Sequence, residues 1–180
     1  YYNGLNPTFN WSYIYWSEEE RRKFFKEVIN ETYVKPFNEL TIAKRLWRTC
    51  DEPCVAVCKK MYKGCKVDYE PYCASTANAG ILDLDVAIEV VDLVDAMGYD
   101  AIEFGNTVSW ILEAVHRNLI PPEELGLKCK PYFDHKLYYD LSKVKELSKH
   151  NAELVKTIAW KLAFGEGEIY EVIGEGVRRG

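Results

Sequence analysis

Residues 83 to 118 contain two helix patterns in direct succession, which limits the possible folds more than any other feature of the chain. Asp83 precedes apolar residues at helical spacing, namely Val86, Val90, Leu93, Val94 and Met97. Gly98 is a residue type that commonly ends a helix, and Asp100 is a type that commonly begins one. The pattern predicts one helix over 84–97 and a second over 101–118.

Most of the remaining chain also favours helices. Ser17 and Glu20 have the spacing of a capping box, so a helix is predicted over 18–33, which Pro36 either ends or kinks. Further helices are predicted at 121–126, from Asp140 or Ser142 to about Phe164, and over 168–180. The sequence contains no βαβ pattern and therefore predicts a mainly α fold.

Length and charge narrow the class of protein. The chain has 180 residues and is 48% hydrophobic, which is the size and composition of one domain with a real core. Its net charge of −5 argues against general nucleic-acid binding. No membrane span or signal peptide is recognised. The first residues, "YYNGLNPTFNW", lack an initiator Met, so we expect residues 1–180 to be a single helical domain or a fragment of a larger chain.

The segment "TCDEPCVAVCKK", residues 49–60, carries Cys50, Cys54 and Cys58 at four-residue intervals. Thiolates are ligands for iron–sulfur clusters and zinc, and Lys59 and Lys60 would offset the negative charge of a cluster. A structural zinc site usually has two close cysteine pairs, which this chain lacks. Disulfides or buried free cysteines are the alternatives, but crowded cysteines in an acidic, helical chain favour a metal or cluster in a reducing, cytoplasmic compartment.

The segment 67–80, "VDYEPYCASTANAG", is small, polar and extended in character, and we expect it to line a site. Glu70 lies in it between Tyr69 and Tyr72. A carboxylate packed among aromatic rings would have its pKa raised by desolvation, which suits proton transfer near neutral pH. The alternative is a surface glutamate in a loop.

Two acidic pairs lie at or shortly before the predicted helix junction. Asp95 and Asp100 lie at the two helix ends in "DAMGYDAIEFG", where free main-chain N–H groups could bind a ligand, or where the chain simply turns. Glu89 and Asp92 share one helix face, which is either a cation or partner site or a solvated face.

In order and spacing, the motifs resemble those of the aldehyde:ferredoxin oxidoreductases, the tungstopterin family. The stretches "TCDEPCVAVCKK", "VDYEPY" and "DAMGYDAIEFGNTVSWILEAVHRNLIPPEELGL" are most similar to the branch that oxidises glyceraldehyde-3-phosphate. The resemblance runs from about Asn10 to "IGEGVRRG". It implies the second, α-helical domain of that family, without the N-terminal β domain that embraces the pterins and without the C-terminal domain.

The resemblance also implies a chemistry. Members of the family oxidise an aldehyde to a carboxylic acid at a tungsten, or in some members a molybdenum, held by two pterin dithiolenes. A [4Fe–4S] cluster passes the electrons to ferredoxin. The partners would be ferredoxin, an aldehyde and the remaining domains of the same polypeptide, with no nucleic acid and no membrane. The isolated piece is expected to be inactive.

Roles follow for particular residues by similarity. Cys50, Cys54 and Cys58 match three cluster ligands, although most of the family has a first gap one residue shorter. Glu70 matches a glutamate near the metal to which proton transfer is assigned. The pterin-binding run is matched by Asp95, Gly98, Tyr99 and Asp100, with Tyr99 in place of the usual leucine.

Some features of the family are altered or missing. The fourth cluster cysteine of the family lies in its C-terminal domain, and Cys65 and Cys73 are the nearby alternatives. Glu89 and Asp92 match a Glu-x-x-His pair that binds a subunit-bridging iron, but Asp92 replaces the histidine. An iron site is therefore not expected there.

Two alternatives to the enzyme stay open at this point. One is a non-catalytic iron–sulfur or metal-binding helical domain derived from the family, and the other is a helical interaction domain with empty cysteines. A phosphate-bearing aldehyde would need basic groups near its pocket. The candidates in this chain are Arg48, Lys59, Lys60, Lys63 and Lys66.

Overall fold

The chain is described here from a computed structural model, which covers residues 7–49, 55 and 60–176. Its α-helices are α1 (Glu18–Phe24), α2 (Lys35–Phe37), α3 (Tyr69–Ser75), α4 (Leu84–Ala96), α5 (Ala101–His116), α6 (Val144–Phe164) and α7 (Glu168–Ile173). The β-structure within this part of the chain is one short hairpin, β1 (Met61–Tyr62) and β2 (Cys65–Lys66). The predicted mainly α fold is confirmed.

The first helix begins where the capping box predicted. The Ser17 side chain accepts a hydrogen bond from the backbone N–H of Glu20 at 3.2 Å. The helix does not end at Pro36, because π-helical segments, Phe25–Val34 and Asn38–Ile42, continue it on both sides of α2. Proline removes one N–H donor and crowds the preceding turn of an α-helix, and the wider π-helical turns accommodate it.

Residues 67–80 are helical, so the expectation of an extended segment was wrong. They form α3 and a 3-10 turn, Ala77–Ala79, which Gly80 ends at φ +73°. Pro71 is tolerated because it lies in the first turn of α3, where the backbone N–H groups have no partner within the helix. Tyr72 and Cys73 are adjacent and both buried. A strand would point them to opposite faces, so a helix on the core buries them more readily.

The junction between α4 and α5 has the predicted form. Asp83 accepts a hydrogen bond from the N–H of Val86 at 3.1 Å, and this caps α4. At the other end, Gly98 donates to the carbonyl of Asp95 at 2.9 Å and Tyr99 to that of Val94 at 3.2 Å. These two bonds and a φ of +76° at Gly98 form a Schellman motif.

Helix α5 packs against α3, and α4 packs against α6. Gly105 permits the first of these contacts, because a Cβ there would lie 2.3 Å from the backbone carbonyl of Ala74. The Ser75 hydroxyl also donates to the carbonyl of Ala101 at 2.7 Å across the same interface. This close approach holds the first turn of α5 beside α3.

The apolar core joins all of these elements. Side chains with no exposed surface come from α4, α5, α6 and the turns between them, and include Val90, Ile111, Leu112, Tyr138 and Ile158. Within the described ranges, every helix is too short or too polar to cross a bilayer.

Candidate functional site

A cavity of about 360 Å³ lies between α3, the 3-10 turn after it and the first turns of α5. We call it the Glu70 cavity. Its wall includes Trp11, Tyr69, Glu70, Cys73, Asn78 and Ile102. Two expectations meet here, because the segment 67–80 does line a cavity and Glu70 is one of the lining residues.

Glu70 lies in the first turn of α3, and its side chain is exposed. Its two tyrosine neighbours separate, because Tyr72 is fully buried in the core while Tyr69 is half-buried at the cavity wall. The described residues therefore do not bury the carboxylate among aromatic rings, and the expected desolvation of Glu70 was wrong for this part of the chain.

Asn78 is the polar residue at this cavity that the sequence did not single out. Its side chain has no exposed surface, and its Oδ1 accepts a hydrogen bond from the backbone N–H of Trp11 at 3.0 Å. That bond fixes the amide orientation, since an N–H group can donate only to the oxygen. Nδ2 is buried and has no hydrogen-bond partner among the described residues. The only sequence signal was its position in the small, polar stretch 67–80.

The two cysteines considered as a fourth cluster ligand differ in location. Cys73 is buried in α3, and burial raises the pKa of its thiol to about 12. Cys65 is half-buried in β2, where burial and a hydrogen bond with Asp92 also raise its pKa. Both thiols are therefore neutral in the metal-free chain, and a metal would have to displace their protons to bind them.

The predicted cluster ligands Cys50, Cys54 and Cys58 lie outside the described residues. Within residues 7–49, 55 and 60–176, no group of three His, Cys, Asp or Glu side chains is placed to hold a metal ion. For the other acidic pair, Glu89 contacts Lys156 of α6 at 3.4 Å, and the described residues build no iron site around it and Asp92.

The basic residues near the hairpin have acidic partners. Lys60 and Lys66 lie 3.5 and 3.2 Å from the carboxylate of Asp68, and Lys63 lies 2.8 Å from Asp85. Three of the candidate phosphate-binding residues are thus partly neutralised. Arg48 is exposed, and Lys59 lies outside the described residues.

The α4–α5 turn presents two carboxylates and one glycine to solvent. Asp95, Gly98 and Asp100 are exposed, and a Cβ at Gly98 would meet nothing within 4 Å. The Asp100 carboxylate accepts from the N–H groups of Ile102 and Glu103 at 2.9 Å each. The sequence predicted that main-chain N–H groups here would be free to bind a ligand. Asp100 itself accepts hydrogen bonds from two of them.

Tyr99 takes a different position from its neighbours in the turn. Its hydroxyl donates to the carbonyl of Ala159 on α6 at 2.8 Å, and its ring stacks on Phe104 with centroids 4.9 Å apart. The side chain of Tyr99 thus anchors the turn to the core. Any ligand bound here would contact the backbone of Tyr99 and the exposed carboxylates.

The first turns of α5 connect the turn and the Glu70 cavity. Ile102 and Asn106 line the Glu70 cavity, whereas Glu103 and Thr107 line a second cavity of about 210 Å³ that also includes Tyr99 and Asp100. The fold therefore brings two of the regions singled out in the sequence, Glu70 and the turn 95–100, to the same end of α5.

Comparison with known proteins shows which family the chain resembles. The family profile described as aldehyde ferredoxin oxidoreductase, domains 2 and 3, matches residues 1–180. The chain is 44% identical over 176 residues to a glyceraldehyde-3-phosphate:ferredoxin oxidoreductase of Pyrococcus furiosus, covering 97% of this chain and 26% of that protein. It is 39% identical to the uncharacterized protein MJ1185 of Methanocaldococcus jannaschii over 175 residues, which is 96% of this chain and 28% of the other.

A shorter match reaches a tungsten-containing aldehyde ferredoxin oxidoreductase of Pyrococcus horikoshii, at 38% identity over 66 residues, 37% of this chain and 11% of that protein. The chain belongs to the aldehyde ferredoxin oxidoreductase family. It spans about a quarter of the length of the curated relatives that it matches almost end to end.

Proposed function

We propose that this chain forms part of a tungsten or molybdenum bis-pterin enzyme with a [4Fe–4S] cluster. The enzyme oxidises an aldehyde and water to a carboxylic acid, two protons and two electrons, and ferredoxin accepts the electrons. The observation that carries the proposal is the family match over the whole chain, joined to a fold that brings Glu70 and the turn 95–100 to one end of α5.

The exposed groups of the turn have the chemistry to hold a pterin. The carboxylates of Asp95 and Asp100 can accept hydrogen bonds from ring N–H groups, and the open space at Gly98 allows a planar ring to approach the backbone. The hydrogen bond from the Tyr99 hydroxyl to α6 holds this turn in place. The bound pterins would supply the metal's sulfur ligands and its redox chemistry.

The cluster ligands in this proposal are Cys50, Cys54 and Cys58, with a fourth cysteine from another part of the polypeptide. The burial of Cys73 in α3 and the hydrogen bond between Cys65 and Asp92 support that choice of the fourth ligand. Thiolate ligation gives the cluster a low potential and lets it pass electrons one at a time to a small acceptor protein.

Glu70 would exchange a proton with the substrate or with the attacking water. Its first-turn position in α3 places the carboxylate at a cavity wall that is accessible in this chain. Other domains of the polypeptide would have to cover the carboxylate before it could exchange a proton in a site closed to water. This requirement accounts for the expectation that residues 1–180 alone do not turn over.

Glyceraldehyde-3-phosphate is the substrate that we propose, because the relative of that name has 44% identity over nearly the whole chain. The basic residues at the hairpin give only partial support, because Lys60, Lys63 and Lys66 already face carboxylates. The phosphate site would then depend on residues outside the described part of the chain as well.

The test is elemental analysis and activity of the longest polypeptide that carries this sequence, purified without oxygen. We expect about four irons and one tungsten or molybdenum per chain, with viologen or ferredoxin reduction by glyceraldehyde-3-phosphate. Iron without tungsten or molybdenum would favour the non-catalytic cluster domain instead. Zinc alone, or no metal, would refute the cluster assignment, and turnover of glyceraldehyde at the same kcat/KM would refute the phosphorylated substrate.

A further inference from the structure

The amide nitrogen of Asn78 is an unused hydrogen-bond donor at the wall of the Glu70 cavity. Asn78 has no exposed surface, and among the residues that the structure describes nothing accepts a hydrogen bond from its Nδ2. A buried donor without an acceptor costs about 1–3 kcal/mol. Such a group is retained where a ligand or another part of the polypeptide supplies the acceptor.

Both oxygen atoms of Asn78 already accept hydrogen bonds from the chain. The backbone carbonyl of Asn78 accepts from Asn10 at 2.8 Å, and its Oδ1 accepts from the backbone of Trp11 at 3.0 Å. These two bonds hold a segment in which Phe9, Asn10 and Trp11 all have positive φ angles. The oxygen atoms of Asn78 therefore serve the fold, while Nδ2 has no acceptor among the described residues.

The size and lining of the cavity decide what can enter. A volume of about 360 Å³ is at the small end of ligand sites and is large enough for a three-carbon substrate. The walls combine apolar surface from Trp11 and Ile102 with the Glu70 carboxylate. The reaction needs a donor for the substrate's carbonyl oxygen and a base for the proton that is released. The amide of Asn78 and the carboxylate of Glu70 are groups of these two kinds.

We propose that Asn78 is a substrate-binding residue, whose Nδ2 donates a hydrogen bond to the carbonyl oxygen of the aldehyde and then to the carboxylate oxygen of the acid product. This rests on the proposed function and extends it by one residue. In this arrangement Asn78 orients the carbonyl group while Glu70, in the same cavity, faces the proton that is exchanged.

The decisive variant is Asn78→Asp in the longest polypeptide that carries this sequence, loaded with metal. An aspartate keeps the oxygen that accepts from Trp11, so the segment at residues 9–11 stays held, but it replaces the donor with a second acceptor. Asn118→Asp is the matched control, because Asn118 is exposed and lies outside the Glu70 cavity. It adds the same charge and leaves Nδ2 of Asn78 in place.

We expect Asn78→Asp to raise both the KM for glyceraldehyde-3-phosphate and the inhibition constant of 3-phosphoglycerate by more than about tenfold. Asn118→Asp should change both by less than about threefold. Metal content should be unchanged in both variants. Direct binding of 3-phosphoglycerate, measured by calorimetry, should change in parallel with the inhibition constant.

Three results would overturn the inference. Wild-type constants in Asn78→Asp, or equal losses in both variants, would remove the hydrogen bond as the cause. Loss of tungsten or molybdenum with an unchanged KM in the loaded fraction would assign the acceptor to a pterin instead. A wild-type protein that oxidises no aldehyde would refute the proposed function itself, which is a separate result.

A structure of the wild-type protein with 3-phosphoglycerate bound tests the same inference if the aspartate variant does not fold. Nδ2 of Asn78 should lie within about 3.2 Å of a product oxygen. A bond from Nδ2 to any protein atom in that structure would contradict the proposal.

Discussion

Substitution of Gly105 by alanine tests the packing that places α3 beside α5. The new Cβ would lie 2.3 Å from both the carbonyl carbon and the carbonyl oxygen of Ala74, about 1 Å closer than even a tight contact allows. Both colliding atoms belong to the backbone, so no side-chain rotation relieves the clash. Helix α5 must move away from α3, or α3 must bend.

The expected cost follows from three terms. Overpacking of this kind costs about 1–3 kcal/mol. Separation of the helices also stretches the 2.7 Å bond from Ser75 to Ala101, which contributes about 1 kcal/mol. Alanine returns about 1 kcal/mol through its better helix propensity. We therefore expect Gly105→Ala to lose about 2 kcal/mol, or about 4–8 °C in Tm for a protein of this size.

Thermal unfolding followed by circular dichroism measures this change. Gly98→Ala is the matched control, since its Cβ would meet nothing within 4 Å and its cost comes only from a φ of +76°, about 1 kcal/mol. The loss at Gly105 should be the larger of the two. A Gly105→Ala protein as stable as the wild type, or more stable, would refute the backbone contact between α3 and α5.

Three further predictions concern stability and reactivity. Tyr138→Phe should lose about 1–2 kcal/mol in denaturant titration, because its buried hydroxyl donates to the Gly80 carbonyl at 2.7 Å and accepts from Asn151 Nδ2. An unchanged midpoint would contradict those bonds. Hydrogen bonds from Lys63 and a hairpin tyrosine lower the pKa of Asp85, so its contribution to stability is present above the unfolded pKa of about 3.9 and is lost as the pH falls through the folded value. Asp85→Asn should therefore lose less stability than the wild type as the pH is lowered. An equal loss would contradict the stabilising role of the Asp85 carboxylate. Iodoacetamide at pH 8, followed by peptide mass spectrometry, should label the exposed Cys129 well before the buried Cys73, and equal rates would contradict that burial.

The starts of α1, α4 and α5 and the end of α4 were predictable because they depend on local chemistry. Ser17, Asp83 and Asp100 each accept a hydrogen bond from a backbone N–H two or three residues later, and Gly98 adopts the left-handed conformation that ends α4. These interactions involve neighbours in sequence, so a short window contains all the information.

Other elements could not be predicted, because distant residues decide them. The stretch 67–80 is polar and contains Pro71, yet burial of Tyr72 against Tyr33, with ring centroids 4.2 Å apart, selects a helix. The helix that includes Pro36 continues through π-helical turns for which the sequence carries no recognised signal. An interior glycine in α5 was the one visible hint of the close contact at Gly105.

For the candidate site, the sequence by itself determined which residue types were present and in what order. The cysteine spacing, Glu70 and the run from Asp95 to Asp100 identified the family before any coordinates, because these motifs follow each other along the chain. The tertiary structure alone decided that Glu70 is exposed, that the Tyr99 hydroxyl bonds to α6 and that Asn78 is buried with a donor unpaired among the described residues. Burial depends on what packs from elsewhere in the chain, and a linear motif contains no record of those contacts.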